Sequence, residues 1–131
     1  MKIKTNFILL LMVFLTMATT SFADDAPSIA PSVTYTTSDG ETSEDASYSG
    51  SAPIKAAFKA NPTGITGWTE YYEWRIYHDN DTEPYIIRYE ENTDLEFNQS
   101  GLHRIILYAK FTKHGQVIEQ NNEDSHHTLT I

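Results

Sequence analysis

From Pro53 onward, apolar and polar residues alternate with a period of two. Ile54, Ala56, Phe58 and Ala60 fall on one face, with Lys55 and Lys59 on the other. Successive side chains of a strand point to opposite faces, so this pattern predicts a half-buried strand. Asn61-Pro62-Thr63-Gly64 ends it, because Pro has no amide to give a ladder and Gly supplies the turn. Tyr72, Trp74 and Ile76 then alternate against Tyr71, Glu73, Arg75 and Tyr77. The polar run Asp79-Asn80-Asp81-Thr82-Glu83-Pro84 predicts a connection, followed by a short strand from Tyr85 to Tyr89. Leu95 and Phe97 mark a brief strand that stops at Asn98-Gln99-Ser100-Gly101.

The longest strand is predicted from Leu102 to Phe111, with His103, Ile105, Leu107, Ala109 and Phe111 on one side. Lys113-His114-Gly115-Gln116 reads as a hairpin turn. Val117-Ile118 belongs to the returning segment, and Thr128-Leu129-Thr130-Ile131 to a closing strand. No window carries a 3.6-residue stripe, and no repeat is visible. About seven short strands at this spacing predict an all-β, antiparallel sandwich. Trp74, Tyr72, Phe58 and Leu107 are its expected core.

The chain changes character before Pro53. Residues 24–52 hold six acids (Asp24, Asp25, Asp39, Glu41, Glu44 and Asp45) and no Lys or Arg, with frequent Ser and Thr. Such a segment is expected to be solvated and loop-like. One island, Ser32-Val33-Thr34-Tyr35-Thr36-Thr37, alternates with β-branched residues and suggests a first edge strand near 32–37. The main body of the domain is then 53–131.

Residues 1–23 read as a secretory signal peptide. Lys2 and Lys4 supply the positive start, Phe7 to Leu15 is an unbroken apolar run, and Ser21-Phe22-Ala23 places small residues where a signal peptidase reads. The apolar run is about half of the roughly 20 residues a bilayer span requires, so cleavage is expected rather than a retained anchor. The mature protein is then exported: periplasmic, on the cell surface or extracellular. The 131 residues contain no cysteine, so disulfides, thiolate zinc sites and cysteine nucleophiles are excluded. A cysteine-free exported domain of this size suits a bacterial envelope.

Nine Lys and Arg against eighteen Asp and Glu give a formal charge of −9. Loss of Lys2 and Lys4 with the leader leaves a chain still more acidic. That sign argues against nucleic-acid binding and against polybasic membrane contact.

Four stretches carry a family resemblance: Ser51-Ala52-Pro53-Ile54, Phe58-x-Ala60-Asn61-Pro62, Tyr72-Glu73-Trp74, and Gly101 ahead of a long strand. Together they resemble a PKD domain, over roughly residues 33–131. The resemblance implies an immunoglobulin-like β-sandwich of the kind found on cell surfaces and in secreted bacterial proteins, with Trp74 packed against the opposite sheet. Tyr72-Glu73-Trp74-Arg75 with Arg88-Tyr89-Glu90-Glu91-Asn92-Thr93 is similar to a variety in Bacteroidetes surface proteins. Those domains often precede a gliding-motility-associated C-terminal secretion module. The chain carries no such module and is expected to be a truncated or standalone member. Two positions depart from the family. Tyr77-His78-Asp79-Asn80-Asp81 replaces its Gly-Asp-Gly turn, and His103 stands where it usually has the Tyr of its corner hydrogen bond.

Candidate chemistry is sparse. Asp79, Asp81 and Glu83 alternate as in hard-cation loops, but Pro84 occupies the position where a helix-loop-helix calcium site needs Gly. A solvated loop is preferred there over a looser Ca²⁺ site. His126 and His127 are adjacent and would point to opposite faces of a strand, so no shared metal is expected. No nucleophile elbow, phosphate loop, HExxH or dinucleotide fingerprint is present, so neither catalysis nor a cofactor is expected. The face opposite the core is the better candidate. Parity sends Tyr71, Glu73, Arg75 and Tyr77 outward, and the same reading adds Ile86 and Arg88, then Arg104, Ile106, Tyr108 and Lys110. All three arginines of the chain would gather on one face. Arg75, Tyr77, Arg88 and Tyr108 are the expected ligand contacts, for a cell-surface glycan or protein, with cross-strand charge pairing as the plainer alternative. The expected function is a non-catalytic spacer and protein- or glycan-contact module; the alternative is a dedicated carbohydrate-binding module.

Overall fold

The structure is a computed structural model that describes residues 26–131; the expected leader lies outside the described residues. The chain forms an all-β sandwich. Its strands are β1 (Ser32–Thr36), β2 (Thr42–Ser43), β3 (Ser47–Ser49), β4 (Ile54–Lys59), β5 (Thr69–His78), β6 (Ile86–Arg88), β7 (Asn92–Phe97), β8 (Leu102–Lys113), β9 (Gln116–Asn121) and β10 (His127–Thr130). One sheet has the order β2-β1-β4-β7 and the other β3-β10-β8-β5-β6, with β9 also paired to β8. Strands β9 and β10 share one edge of β8: β10 lies along Leu102–Ile105 and β9 along Tyr108–Lys113. Among the described residues no helix is long and apolar enough to cross a membrane.

The alternation produces the core. Ile54, Ala56 and Phe58 of β4 face Tyr72, Trp74 and Ile76 of β5 and Ile105, Leu107, Ala109 and Phe111 of β8, all buried between the sheets. Trp74 is fully buried at the centre, its ring 5.1 Å from that of Phe58. Its indole N–H donates to the Glu91 carbonyl at 3.3 Å, which answers the one polar atom of a large apolar side chain.

The polar N-terminal segment departs from expectation. β1 is not an edge strand, because β2 flanks it on one side and β4 on the other. Val33 and Tyr35 are both fully buried. The segment also supplies β2 and β3, two strands that the alternation does not predict, and the total is ten. These two strands are two and three residues long, too short to show any period. β3 pairs with β10 in parallel, so the larger sheet is mixed rather than purely antiparallel.

His103 closes one end of the sandwich. It is fully buried, with Nε2 2.8 Å from the Gln99 carbonyl and Nδ1 2.7 Å from the Tyr85 hydroxyl. A carbonyl only accepts, so Nε2 carries a proton, and the Nδ1–Tyr85 hydroxyl bond joins the ring to the β5–β6 connection. Burial pushes the Tyr85 phenol up to about 12. Gly101 sits against the neighbouring His78 at φ +116°, where a Cβ would meet His78 Nε2 at 2.8 Å. Only glycine fits that backbone and that space.

Candidate functional site

The outer face of the larger sheet is built by cross-strand pairs between β5 and β8. Tyr71 lies opposite Lys110, Glu73 opposite Tyr108, Arg75 opposite Ile106, and Tyr77 opposite Arg104. Directly opposed residues share a face, so these eight side chains form one surface. Over one end of it runs a groove of about 510 Å³. Tyr77, Arg104, Ile106 and Tyr108 line its floor, with Asn80–Thr82 on one side and Glu123 and His126 on the other.

Both walls are tied to the floor. Arg104 donates through Nε to the Asp79 carbonyl at 2.9 Å and through Nη2 to the Asp81 carbonyl at 2.7 Å. Its guanidinium also lies 4.8 Å from the centroid of the Tyr77 ring. On the other side the Tyr108 hydroxyl donates to the Glu123 carboxylate. Behind that wall, Asn122 is buried, and its Oδ1 accepts the Leu107 amide at 2.7 Å. It occupies the stretch of β8 edge left open between β9 and β10.

Arg75 stacks 4.0 Å over the Tyr108 ring and pairs with Glu73 at 3.2 Å. A half-exposed stack of this kind is worth about 0.5–1 kcal/mol. The hydrogen bond with Glu73 holds the Arg75 guanidinium firmly protonated. Burial, then the bond to Glu123, raises the Tyr108 phenol, which stays a neutral donor. Among the described residues no group of three or more His, Asp or Glu side chains converges as a metal site requires. What the face offers is aromatic surface, amide and hydroxyl groups, and carboxylate acceptors.

The structure brings three of the four expected contact residues together. Arg75, Tyr77 and Tyr108 share the face, but Tyr77 is only 7% exposed because Arg104 and the Asn80–Thr82 loop lie over it. Arg88 does not join them. It lies opposite Trp74, and Ile86 lies opposite Ile76 and packs against the core. The expected grouping of Ile86 and Arg88 with Arg75 is therefore corrected: residues two apart share a face, and once Ile86 turns inward Arg88 goes with it. Arg88 sits exposed on the edge strand, donating to the Ile87 carbonyl. Ile87, opposite Arg75, takes the outer position instead. Glu123, His126 and Asn80–Thr82 were not expected at the site, since loop residues carry no period. Tyr89 was also missed, although its parity with Ile87 places it on the outer side. No family model matches the chain, and no curated protein or solved structure does.

Proposed function

We propose that the protein is an exported, non-catalytic surface module with a PKD-type, immunoglobulin-like fold that serves as a spacer and contacts a glycan or protein through the β5–β8 face. The observation that carries this reading is the groove, an open aromatic-floored channel whose two loop walls are fixed to its floor by Arg104 and Tyr108. Preorganised surfaces lose little entropy on binding. The fold assignment draws support from Trp74 at the centre of the sandwich and from His103, which bonds to a carbonyl four residues upstream as the family's corner Tyr does. Export rests on the leader. Intact-mass analysis of envelope-fraction protein should find Asp24 as the first residue; a Met1 terminus would overturn export with cleavage.

The contact role is tested by binding of the mature chain to isolated envelopes and to host-matrix proteins. Tyr108→Ala is expected to stay folded and lose binding, whereas Arg88→Ala is expected to bind as wild type does. If wild type binds neither preparation at high micromolar concentration, the contact role fails and a spacer alone remains.

A further inference from the structure

Beyond the groove, the same face carries an exposed aromatic pair. Tyr71 is 45% exposed and Tyr89 60%, with ring centroids 6.2 Å apart and planes tilted by 47°. Single exposed apolar residues are ordinary, but two adjoining tyrosines next to a groove on one sheet face form a continuous surface. Tyr71 is one same-face step from Glu73, and its hydroxyl reaches the Glu73 carboxylate at 3.4 Å. Glu73 in turn holds Arg75, which covers Tyr108 at the groove. From Tyr71 to Tyr77 the strand spans about 20 Å, so the surface is a track rather than a pocket.

The charges along this track nearly cancel in number, with Arg75, Arg104 and Lys110 against Glu73, Asp81, Glu119 and Glu123. Arg75 is paired with Glu73, Arg104 has committed two of its donors to backbone carbonyls, and Lys110 lies opposite Glu119 across β8 and β9. An anionic ligand would meet Glu73, Asp81 and Glu123, while Arg75 is held by Glu73 and Arg104 turns two of its donors to the loop carbonyls. A cationic one would find Glu73 already paired with Arg75, and would meet Arg104 and Lys110 on the same face. The complement of a nearly charge-balanced aromatic track with hydroxyl, amide and carboxylate hydrogen-bonding groups is an uncharged, hydroxyl-rich chain of rings with apolar C–H faces. Resting on the contact role above, we infer that the ligand is a neutral polysaccharide strand laid from the Tyr71–Tyr89 pair into the groove. The two tyrosines stack on its sugar rings, and Asn80, Asp81 and Glu123 take its hydroxyls.

The test is affinity electrophoresis and calorimetry of the mature chain with soluble β-glucan, mannan, galactan and arabinan, and with a polyuronate as the charged comparator. Binding to at least one neutral polysaccharide is expected, growing tighter with oligosaccharide length and unchanged across an about tenfold range of salt. Tyr71→Ala with Tyr89→Ala should weaken it about tenfold or more while leaving the urea midpoint within error. Binding to the polyuronate alone, or to an envelope protein alone, overturns the neutral-strand inference and leaves the contact role standing. Neutral-polysaccharide binding that survives the double substitution overturns the aromatic track. Absence of binding to polysaccharide and protein alike removes both.

Discussion

Replacing Asn122 with Ala isolates one buried hydrogen bond at the point where the larger sheet changes partners. Along one edge of β8, pairing passes from β10, which ends opposite Ile105, to β9, which begins opposite Tyr108. The Leu107 amide falls in the gap, and the Asn122 side chain answers it at 2.7 Å. Leu107 is fully buried, so its amide relies on the Asn122 side chain rather than on bulk water. An orphaned buried amide costs about 1–3 kcal/mol. Against this, Asn122 Nδ2 is itself buried without a partner, and its removal recovers part of the loss. The net expectation for Asn122→Ala is a loss of about 1–2 kcal/mol.

Urea unfolding followed by Trp fluorescence reads this as a lowered midpoint with an unchanged slope. Asn121→Ala is the control, because the Asn121 side chain is exposed where it accepts the Glu123 amide. Its cost should stay within about 0.5 kcal/mol, as surface changes usually do. Hydrogen exchange adds a local readout: the Leu107 amide should lose protection in Asn122→Ala more than its strand neighbours do. Equal midpoints for the two variants, with Leu107 protection intact, would refute the assignment of Asn122 as the bridge between β9 and β10.

Trp74→Ala should cost about 3–5 kcal/mol, the usual loss for a buried large aromatic, and leave the protein barely folded. Trp68→Ala, at a half-buried loop position under Lys113, should cost far less, and similar denaturation midpoints for the pair would mean the core is misplaced. Tyr35 is fully buried with its hydroxyl unpartnered, so Tyr35→Phe should be neutral or raise the melting temperature; a clear drop would reveal a partner for that hydroxyl. Burial, with His126 adjacent, holds His127 below its ordinary value of 6.5. The unfolded chain then binds the proton more readily, so stability is full above that value and declines as pH falls through it towards the lower folded-state value. Urea midpoints at neutral and mildly acidic pH should differ less in His127→Gln than in wild type, and identical pH dependence would remove His127 as a cause.

The sandwich is legible wherever a strand has one wet face and one dry face. β4, β5 and β8 alternate over six to twelve residues, and each places its apolar set inward. Parity alone therefore assigns Trp74, Tyr72, Phe58 and Leu107 to the core. β2 and β3 are too short to alternate, and their pairing depends on where β1 and β10 already lie. The burial of β1 was hidden by composition. Its two core residues, Val33 and Tyr35, are embedded in Ser and Thr, so a strand flanked on both sides reads like a solvated one.

The site divides along the same line between what one strand determines and what two elements determine together. Within β5 and β8, residue order suffices to put Arg75 and Tyr108 on one face. Arg88 shows where that reasoning stops. Its parity with Ile86 is fixed within β6, but which face the pair takes depends on the register between β6 and β5. That register places Ile86 opposite Ile76 after the Asp79–Pro84 connection, with the Tyr85 amide bonded to the Ile76 carbonyl. A one-residue shift would exchange the two faces, so the burial of Ile86 decides the matter. Tyr77 shows the complementary limit, since an outward side chain is not an exposed one when Arg104 draws a loop across it. The groove thus arises from side chains that reach out of the sheet to hold loops. Arg104 grips Asp79 and Asp81, Tyr108 grips Glu123, and Asn122 anchors the turn behind it. The polar residues along its edges act as fasteners, and between them they frame the aromatic floor.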